Sequence, residues 1–244
     1  MTNRKWEGKG SKSFLRRRQF LQLAGLSGFS LLAGGCSSSL LDSEVNGIFE
    51  PINQKVETLL FNPAKLAPEF TKSAIEPDAL LINTYKDTPE LDRNLFRLEV
   101  MGEVNQPLAL SLDQIEKLPR TSMIIRHICV EGWSAIVQWA GVRLVDLIQL
   151  AKPKTAAQYV YFMSADGYYE SWDLASAIHP QTLMVYEKNG APLTTDNGAP
   201  LRLASPIKLG YKLSKWVTQI ILTDKLRDSK GYWEDQGYEW YAGL

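Results

Sequence analysis

The sequence predicts an α+β domain of mixed sheets and short helices, and three observations support that class. Candidate strands and helices follow one another without the regular β-α-β alternation that a parallel sheet requires. The candidate strands are short apolar runs bounded by turn-forming residues, and neither an internal repeat nor a coiled-coil heptad appears in the 244 residues. The composition, 45% hydrophobic and 22% charged, is that of an ordinary globular protein.

The predicted strands differ in how clearly the sequence marks them. Residues 96–101 alternate apolar and polar side chains, as expected of a strand with one face in water, and residues 216–222 are rich in β-branched side chains. The apolar run 80–85 is predicted as a strand that delivers Asn83 to a loop. In chain order, the predicted strands are 80–85, 96–101, 108–110, 122–125, 159–162, 183–186, 201–203 and 216–222.

Three short helices are predicted between these strands. Ser111 and Gln114 have the spacing of a capping box, which indicates a helix that ends before Pro119. Residues 142–151 place their apolar side chains on one side of a helix, and residues 172–178 form the third candidate.

Turns and the C-terminal tail complete the predicted domain. The pairs Asn189-Gly190 and Asn197-Gly198 indicate two tight turns. Residues 231–244 contain five large aromatic side chains, so we expect this tail to pack against the domain. The absence of a GxGxxG or P-loop motif argues against a dinucleotide site or a Walker-type phosphate site.

The formal charge of zero hides an uneven distribution. Residues 1–35 hold seven of the 27 basic side chains and one of the 27 acidic ones, so the remainder has 20 basic and 26 acidic residues, a net of −6. A mildly acidic body lacks the basic surface that binds nucleic acid, and we expect no nucleic-acid partner.

Residues 1–35 are predicted to be an export signal. The pair Arg17-Arg18, followed by Phe20 and Leu21, resembles the twin-arginine signal that exports folded proteins. A weakly apolar, glycine-containing run follows, too short for a membrane span of about 20 apolar residues. An ordinary signal for unfolded export is the alternative.

The end of this signal leaves two outcomes open at Cys36. The residues before Cys36 resemble a lipoprotein processing site, which would place a lipid anchor on this cysteine, and simple cleavage nearby is the alternative. Residues 36–79 are predicted to be an extended segment that wraps onto the domain, and residues 80–244 form the domain itself. The protein is therefore expected outside the cytoplasm, in the periplasm or on the outer face of the membrane.

Cys129 is the cysteine that the domain retains, and its role is open from the residues alone. A disulfide with Cys36 would tie the domain to a flexible leader, so Cys129 is expected to be free. It could be a nucleophile with His127, a metal ligand, or a small apolar core residue. With His127 and His179 as the two histidines, the common zinc sites lack ligands.

A second group of interest is cationic. Arg202, Lys208, Lys212 and Lys215 lie close together in the sequence around a glycine. Such a loop could hold a phosphate through charge and backbone donors, and a solvated surface is the alternative interpretation.

Six ordered motifs together resemble the molybdopterin-binding domain of the sulfite oxidase family, and within it the periplasmic methionine sulfoxide reductase catalytic subunits and their uncharacterised relatives. The resemblance covers about residues 80–225. The motifs are Cys129-Val-Glu-Gly-Trp-Ser134, Trp139-Ala-Gly-Val142, Asp166-Gly-Tyr168, Asn189-Gly190, Asn197-Gly-Ala-Pro-Leu-Arg202 and Gly210-Tyr-Lys-Leu-Ser-Lys215.

The resemblance implies roles for particular residues. It implies Cys129 as the thiolate ligand of molybdenum, whose other ligands are two dithiolene sulfurs of one pterin and oxygen. Tyr168 and Tyr169 are candidates for lining the substrate funnel, and Arg126 or His127 could donate to the dithiolene because both lie near Cys129 in the chain. The implied cofactor-binding residues are Asn83, Tyr85, Lys86, Ser164, Asn197, Arg202, Leu213, Ser214 and Lys215.

The function implied by the resemblance is that of an exported enzyme with one molybdenum-molybdopterin cofactor per chain. It would transfer an oxygen atom with two electrons, by reducing an S-oxide or oxidising a sulfur compound. The chain after Cys36 leaves no room for a haem or immunoglobulin-like domain, so the electron partner would be a separate membrane haem protein or soluble cytochrome. A non-catalytic cofactor-binding or electron-transfer module on the same scaffold is the alternative.

Overall fold

The computed structural model describes residues 52–243, in which two five-stranded sheets dominate. The first sheet has the order β2 (Leu108–Leu110), β1 (Leu98–Gly102), β10 (Val217–Thr223), β5 (Tyr159–Ser164) and β6 (Tyr169–Asp173). The second has the order β3 (Arg120–Ile128), β4 (Ser134–Arg143), β7 (Leu183–Lys188) and β8 (Ala191–Pro192), and β9 (Arg202–Ala204) also pairs with β7. β1 and β10 are parallel, whereas the other strand pairs of the described chain are antiparallel.

The helices are short, as the sequence predicted. They are α1 over residues 52–60, α2 (Leu112–Glu116), α3 (Leu144–Leu150) and α4 (Leu174–Ala177), with 3₁₀ turns at Lys72–Ala74, Thr195–Asn197, Gly210–Lys212 and Glu234–Gln236. The capping box is confirmed, because the Ser111 side chain accepts from the Gln114 N–H and the Gln114 side chain accepts from the Ser111 N–H. Among the residues described, no helix has the length and apolarity needed to cross a bilayer. The α+β class with mixed sheets is confirmed.

Two groups of buried apolar side chains hold the sheets together. The larger includes Leu98 of β1, Phe162 of β5, Val142 of β4 and Leu147 of α3, so it joins both sheets. The smaller, around Trp139, lies on the second sheet. Burial of these side chains, at about 25 cal/mol per Å² of apolar surface, is the main stabilising contribution.

The segment that precedes the first sheet runs along the second sheet. The Phe70 N–H donates to the Ile124 carbonyl, and the Glu76 N–H donates to the Ile136 carbonyl at 3.0 Å. The sequence predicted extended chain here, and the helix α1 over residues 52–60 differs from that prediction. The export signal and Cys36 lie outside the described residues.

Several strand and helix predictions were wrong, for identifiable reasons. Residues 80–85 form no strand, and Leu81 and Ile82 are more than half exposed. The sequence predicts no strand at β4, because almost every position of β4 is buried and its side chains do not alternate; the helix predicted from residue 142 begins at Leu144. The sequence predicts no strand at β6, whose centre holds the buried polar residues Glu170 and Ser171; its last two residues fall in the predicted helix 172–178, which begins at Leu174.

The predicted turns and the packed tail are confirmed. Gly190 and Gly198 have φ values of 81° and 98°, which glycine adopts without strain. Trp240 and Tyr241 are about 5% and 4% exposed, and the Trp240 Nε1–H donates to the Ser171 hydroxyl. The tail is therefore part of the folded domain.

Candidate functional site

One cavity of about 180 Å³ brings together segments that are far apart in the sequence. Its walls come from the loop 80–85, the turn between β3 and β4, the turn between β5 and β6, the chain around Asn197 and Arg202, and residues 210–216. The C-terminal tail contributes Trp233 and Tyr238.

Cys129 lies in the tight turn that joins β3 to β4. Its N–H donates to the Trp133 carbonyl at 2.9 Å, and its carbonyl accepts from the Gly132 N–H at 3.2 Å. Gly132 has a φ of 91°, which closes the turn. Cys129 is a free cysteine that is only partly buried, and burial raises the pKa of its thiol. The hairpin thus presents one sulfur to the cavity.

Glu131 ties this turn to the loop 80–85. One carboxylate oxygen accepts from Trp133 Nε1–H and from Asn83 Nδ2, each at 2.9 Å, and Cys129 Sγ lies 3.7 Å from the same oxygen. The hydrogen bonds from Trp133 and then Asn83 lower the pKa of the Glu131 carboxyl. Asn83 and Trp133 are therefore held beside Cys129 by a single carboxylate.

His127 forms the buried floor beside the cysteine. It is 5% exposed and stacks on Trp133, with 5.7 Å between ring centroids. Burial, followed by the nearby Arg202 charge, lowers the pKa of His127 to about 3, so the ring is neutral near pH 7. A Cβ on Gly210 would come within 3.0 Å of His127 Nε2, so this approach favours glycine.

Arg202 is a buried cation without a carboxylate partner in the described chain. Its guanidinium donates to the carbonyls of Asn197 (3.1 Å), Leu213 (3.4 Å) and Leu203 (3.4 Å), and it lies 4.8 Å from the centre of the Trp139 ring. Burial lowers the pKa of Arg202 to about 10. A desolvated positive charge of this kind favours an anion in the cavity.

Two lysines add to this positive region. Lys215 Nζ donates to the Asp196 carbonyl at 3.0 Å, and burial followed by repulsion from Arg202 lowers the pKa of Lys215 to about 8. Lys188 Nζ donates to Asn197 Oδ1 at 3.2 Å, and the same two causes lower the pKa of Lys188. No ion pair between residues 52 and 243 includes any of these three cations.

The structure divides the cationic segment that the sequence treated as one group. Arg202 and Lys215 line the cavity, whereas Lys208 and Lys212 do not. Lys212 Nζ contacts the carboxylates of Glu170 and Glu234, and Lys208 Nζ donates to the Tyr241 carbonyl. The interpretation of all four cations as one phosphate site was therefore wrong for Lys208 and Lys212.

Most of the predicted site residues meet at the cavity. Those that line it are Asn83, Tyr85, His127, Cys129, Tyr168, Asn197, Arg202, Leu213, Ser214 and Lys215. The other four are Lys86, Arg126, Ser164 and Tyr169, which do not line it. Among the lining residues, Tyr168 donates its hydroxyl to the Tyr211 carbonyl at 2.6 Å, so this proton is engaged by the backbone.

The four residues outside the cavity have other contacts. Arg126 points to the opposite face of β3 from His127, where it donates to Ser134 Oγ and lines a separate groove. The Tyr169 hydroxyl donates to Asp235, and Lys86 Nζ lies over the Tyr85 ring. Ser164 lies at the start of the turn that carries Tyr168, and its buried hydroxyl has no hydrogen-bond partner among the described residues.

Sequence reasoning did not assign some residues that line the cavity. Trp133 and Asp166 lie inside motifs that were recognised, so their place in the chain was a usable signal. Trp233 and Tyr238 were expected only to pack, because nothing local in the tail relates it to Cys129. Tyr211 lies in the Gly210–Lys215 motif but was not assigned a role.

The residues present suit an anionic cofactor with a soft metal. Cys129 offers a soft sulfur ligand, and Arg202 and Lys215 offer positive charge in the same cavity. Lys188, which does not line the cavity, donates to the lining residue Asn197. Buried polar atoms without partners in the described chain, His127 Nδ1 and Ser214 Oγ, belong to residues of the same cavity. The described residues contain no group of three or more His, Cys, Asp or Glu side chains able to hold a metal ion.

Comparison with known proteins points to the same class of cofactor. Residues 85–233 match the family model described as the oxidoreductase molybdopterin binding domain. The putative protein-methionine-sulfoxide reductase subunit YedZ1 of Azospira oryzae is 40% identical, over 93% of this chain and 87% of the relative. The protein-methionine-sulfoxide reductase catalytic subunit MsrP of Campylobacter jejuni is 30% identical, over 96% of this chain and 82% of the relative.

A solved structure shares the fold. The sulfane dehydrogenase SoxCD from Paracoccus pantotrophus superposes with a TM-score of 0.57 at 21% identity. The match covers 70% of this chain and 49% of that one, and at this identity it supports the fold alone.

Proposed function

The chain belongs to the family of oxidoreductase molybdopterin-binding domains, and from that premise we propose that it is an exported molybdenum enzyme that reduces S-oxides. In this reaction a sulfoxide, two electrons and two protons give a sulfide and water. The names of the similar reductase subunits favour reduction over the oxidation of a sulfur compound.

The observation that carries the proposal is the presence, in one cavity, of the Cys129 sulfur together with Arg202 and Lys215, neither of which forms an ion pair among the described residues. Cys129 would hold the metal, and Arg202 and Lys215 would bind the anionic end of one pterin cofactor per chain, with Lys188 holding Asn197 beside them. When bound, the cofactor supplies the two-electron oxygen-atom transfer.

The remaining side chains prepare the cavity for this chemistry. Glu131 holds Asn83 and Trp133 beside Cys129, so the turn keeps its shape. His127 is neutral and can accept or donate one hydrogen bond through the ring nitrogen that lacks a partner within the described residues. Tyr168 presents its ring, because its hydroxyl is held by the Tyr211 carbonyl.

The test is the molybdenum content of protein made in a host that supplies the cofactor. We expect about one molybdenum per chain in the wild type and in Cys36→Ser, the matched cysteine control. Cys129→Ser should lose both the metal and S-oxide reduction. We expect a larger loss than the roughly 10- to 100-fold that follows when a residue contacting a metal ligand, and not the ligand itself, is replaced. Equal metal content in Cys129→Ser and Cys36→Ser would contradict the assignment.

Electrons would come from a separate protein, either a membrane haem protein or a soluble cytochrome. The relative YedZ1 is itself named as a subunit, which supports a multi-protein system.

Export through the twin-arginine route would let the chain fold around its cofactor before it leaves the cytoplasm. Replacing Arg17 and Arg18 by lysine should keep the protein in the cytoplasm, as measured by fractionation of the cells. Continued export of this variant would argue for the ordinary signal instead. Whether Cys36 carries a lipid can be read from the mass of the exported protein.

A further inference from the structure

The C-terminal tail, residues 231–243, contributes Trp233 and Tyr238 to the wall of the cavity. Hydrogen bonds hold the tail before and after these two residues. Before them, the Tyr232 N–H donates to the Tyr169 carbonyl on β6 at 3.1 Å. After them, the Ala242 carbonyl accepts from the Leu209 N–H at 3.1 Å, and the Tyr241 carbonyl accepts from Lys208 Nζ at 2.6 Å. Residues 232–242 are thus held at both ends, and we call this segment the strap.

A buried ion cluster fixes the strap further. Lys212 Nζ donates to Glu170 Oε1 at 2.5 Å and also contacts Glu234 of the strap, and the side chains of all three residues are at most 1% exposed. A Cβ on Gly231 would meet Glu170 Oε1 at 2.8 Å, so the chain passes directly over this cluster. Buried charges that are paired in this way hold their partners in one arrangement.

Trp233 and Tyr238 lie between the two fixed ends, on the rim of the cavity. Their ring centroids are 5.0 Å apart, and each residue is still more than a third exposed, at 37% and 38%. They continue a series of neighbouring rings, since Trp233 contacts Tyr232 and Tyr238 contacts Tyr211. Large apolar rings that are held in place yet left open to solvent are typical of binding surfaces.

We propose that Trp233 and Tyr238 determine substrate specificity, by contacting the part of an S-oxide substrate that extends beyond the sulfoxide group. This inference rests on the proposed function and assigns to these two rings the contacts that distinguish a long S-oxide, such as one carried on a peptide, from a small one. The S-methyl and aliphatic groups of such a substrate make favourable contacts with aromatic rings. Dimethyl sulfoxide has only two methyl groups beyond its sulfoxide group, so it offers these rings little surface to contact.

Kinetics on molybdenum-loaded enzyme with reduced benzyl viologen as electron donor test this inference. We expect Trp233→Ala and Tyr238→Ala to raise KM for a blocked methionine-sulfoxide peptide about 5- to 10-fold, and to leave kcat and the KM for dimethyl sulfoxide within about twofold, since an aromatic contact is worth on the order of one power of ten. Leu95→Ala, which removes a 76% exposed apolar side chain away from the cavity, is the control and should change neither.

A binding measurement without turnover gives a second readout. Titration of the oxidised enzyme with the corresponding thioether peptide should show weaker binding to Trp233→Ala and near-normal binding to Trp233→Phe, which keeps an aromatic face. If Trp233→Ala does not fold, Trp233→Leu retains an apolar side chain without the aromatic ring and tests the same KM ratio.

The outcomes separate the two proposals. A wild-type enzyme that contains molybdenum but reduces neither sulfoxide overturns the proposed function. A wild type that reduces both, with strap variants whose KM ratio between peptide and dimethyl sulfoxide is unchanged, overturns the role of the strap. A change in the KM for a protein electron donor alone would assign Trp233 and Tyr238 to partner docking and equally overturn the inference.

Discussion

Four cations from one short stretch of chain have opposite surroundings. Arg202 and Lys215 face the cavity, donate to backbone carbonyls, and take part in no ion pair among residues 52–243. Lys208 and Lys212 are at least as buried as Arg202, but Lys208 forms an ion pair with Asp173 and Lys212 forms one with Glu170.

Lys208 and Lys212 therefore stabilise the fold, whereas the charges of Arg202 and Lys215 remain available to a ligand. A buried ion pair is compensated within the protein, and removing one partner leaves the other unpaired at a large cost. A buried cation without an anion has already lost its hydration, so an incoming anion restores an interaction that the fold does not provide. Lys212 is therefore expected to matter for stability, and Arg202 for the cofactor.

The largest expected effect is on the structural side of this comparison. Lys212→Met would leave Glu170 and Glu234 buried without a counter-charge, and we expect a loss of about 3–5 kcal/mol in the free energy of unfolding, measured with urea. The control is Lys154→Met, which removes a surface pair with Glu103 and should cost no more than about 1 kcal/mol. Similar losses in both variants would show that the buried cluster is not structural.

An effect of intermediate size is expected at the cavity. Arg202→Met should leave the stability of the cofactor-free protein unchanged or slightly higher, because it removes a desolvated charge. The same change should weaken cofactor retention about 10- to 100-fold, since hydrogen bonds to charged groups contribute about 1.5–3 kcal/mol. Molybdenum remaining after prolonged dialysis is the measurement.

Arg126→Met is the matched control for Arg202→Met, because Arg126 lies on the face of β3 opposite His127 and lines a different groove. It should retain molybdenum as the wild type does. If Arg126→Met loses the cofactor as readily as Arg202→Met, the loss is not specific to a cation that lines the cavity.

The smallest expected effect is a pH dependence at Lys215. Burial lowers the pKa of Lys215 from 10.5 to about 8 in the folded state. Between these two pH values the unfolded chain therefore binds more protons, and the Lys215 contribution makes stability rise with pH. This contribution is fully present above the unfolded pKa and is lost as the pH falls through the folded pKa.

Urea unfolding of cofactor-free protein between pH 7.5 and 10.5 would show this as a more positive slope in the wild type than in Lys215→Met. Lys225→Met, which changes an exposed lysine, should keep the wild-type slope. An identical slope in Lys215→Met would show that Lys215 is not desolvated.

How well the sequence predicted the fold depended on local pattern. The alternating strand near Val100 and the capping box at Ser111 were predicted correctly, because period and spacing are local properties. β4 and β6 were missed where burial on both faces or buried polar residues removed the alternation, and the apolar run 80–85 is loop at the cavity instead of strand.

For the candidate site, the sequence by itself determined which chemistry is available. Cys129, placed in a recognisable series of motifs, led to the cofactor class that the family comparison supports. The motifs also contained most of the residues that the cavity brings together, because a turn that approaches a ligand closely restricts its own sequence.

Only the tertiary structure decided which neighbours in the sequence act together. Strand alternation sends His127 to the cavity and Arg126 to the other face, and the buried carboxylates of Glu170 and Glu234 draw Lys212 away from Arg202. Trp233 and Tyr238 reach the cavity because Lys208 and Lys212, more than twenty residues earlier in the chain, hold their neighbours Tyr241 and Glu234. Such long-range contacts leave no local pattern, because the sequence around each partner is compatible with many other contacts.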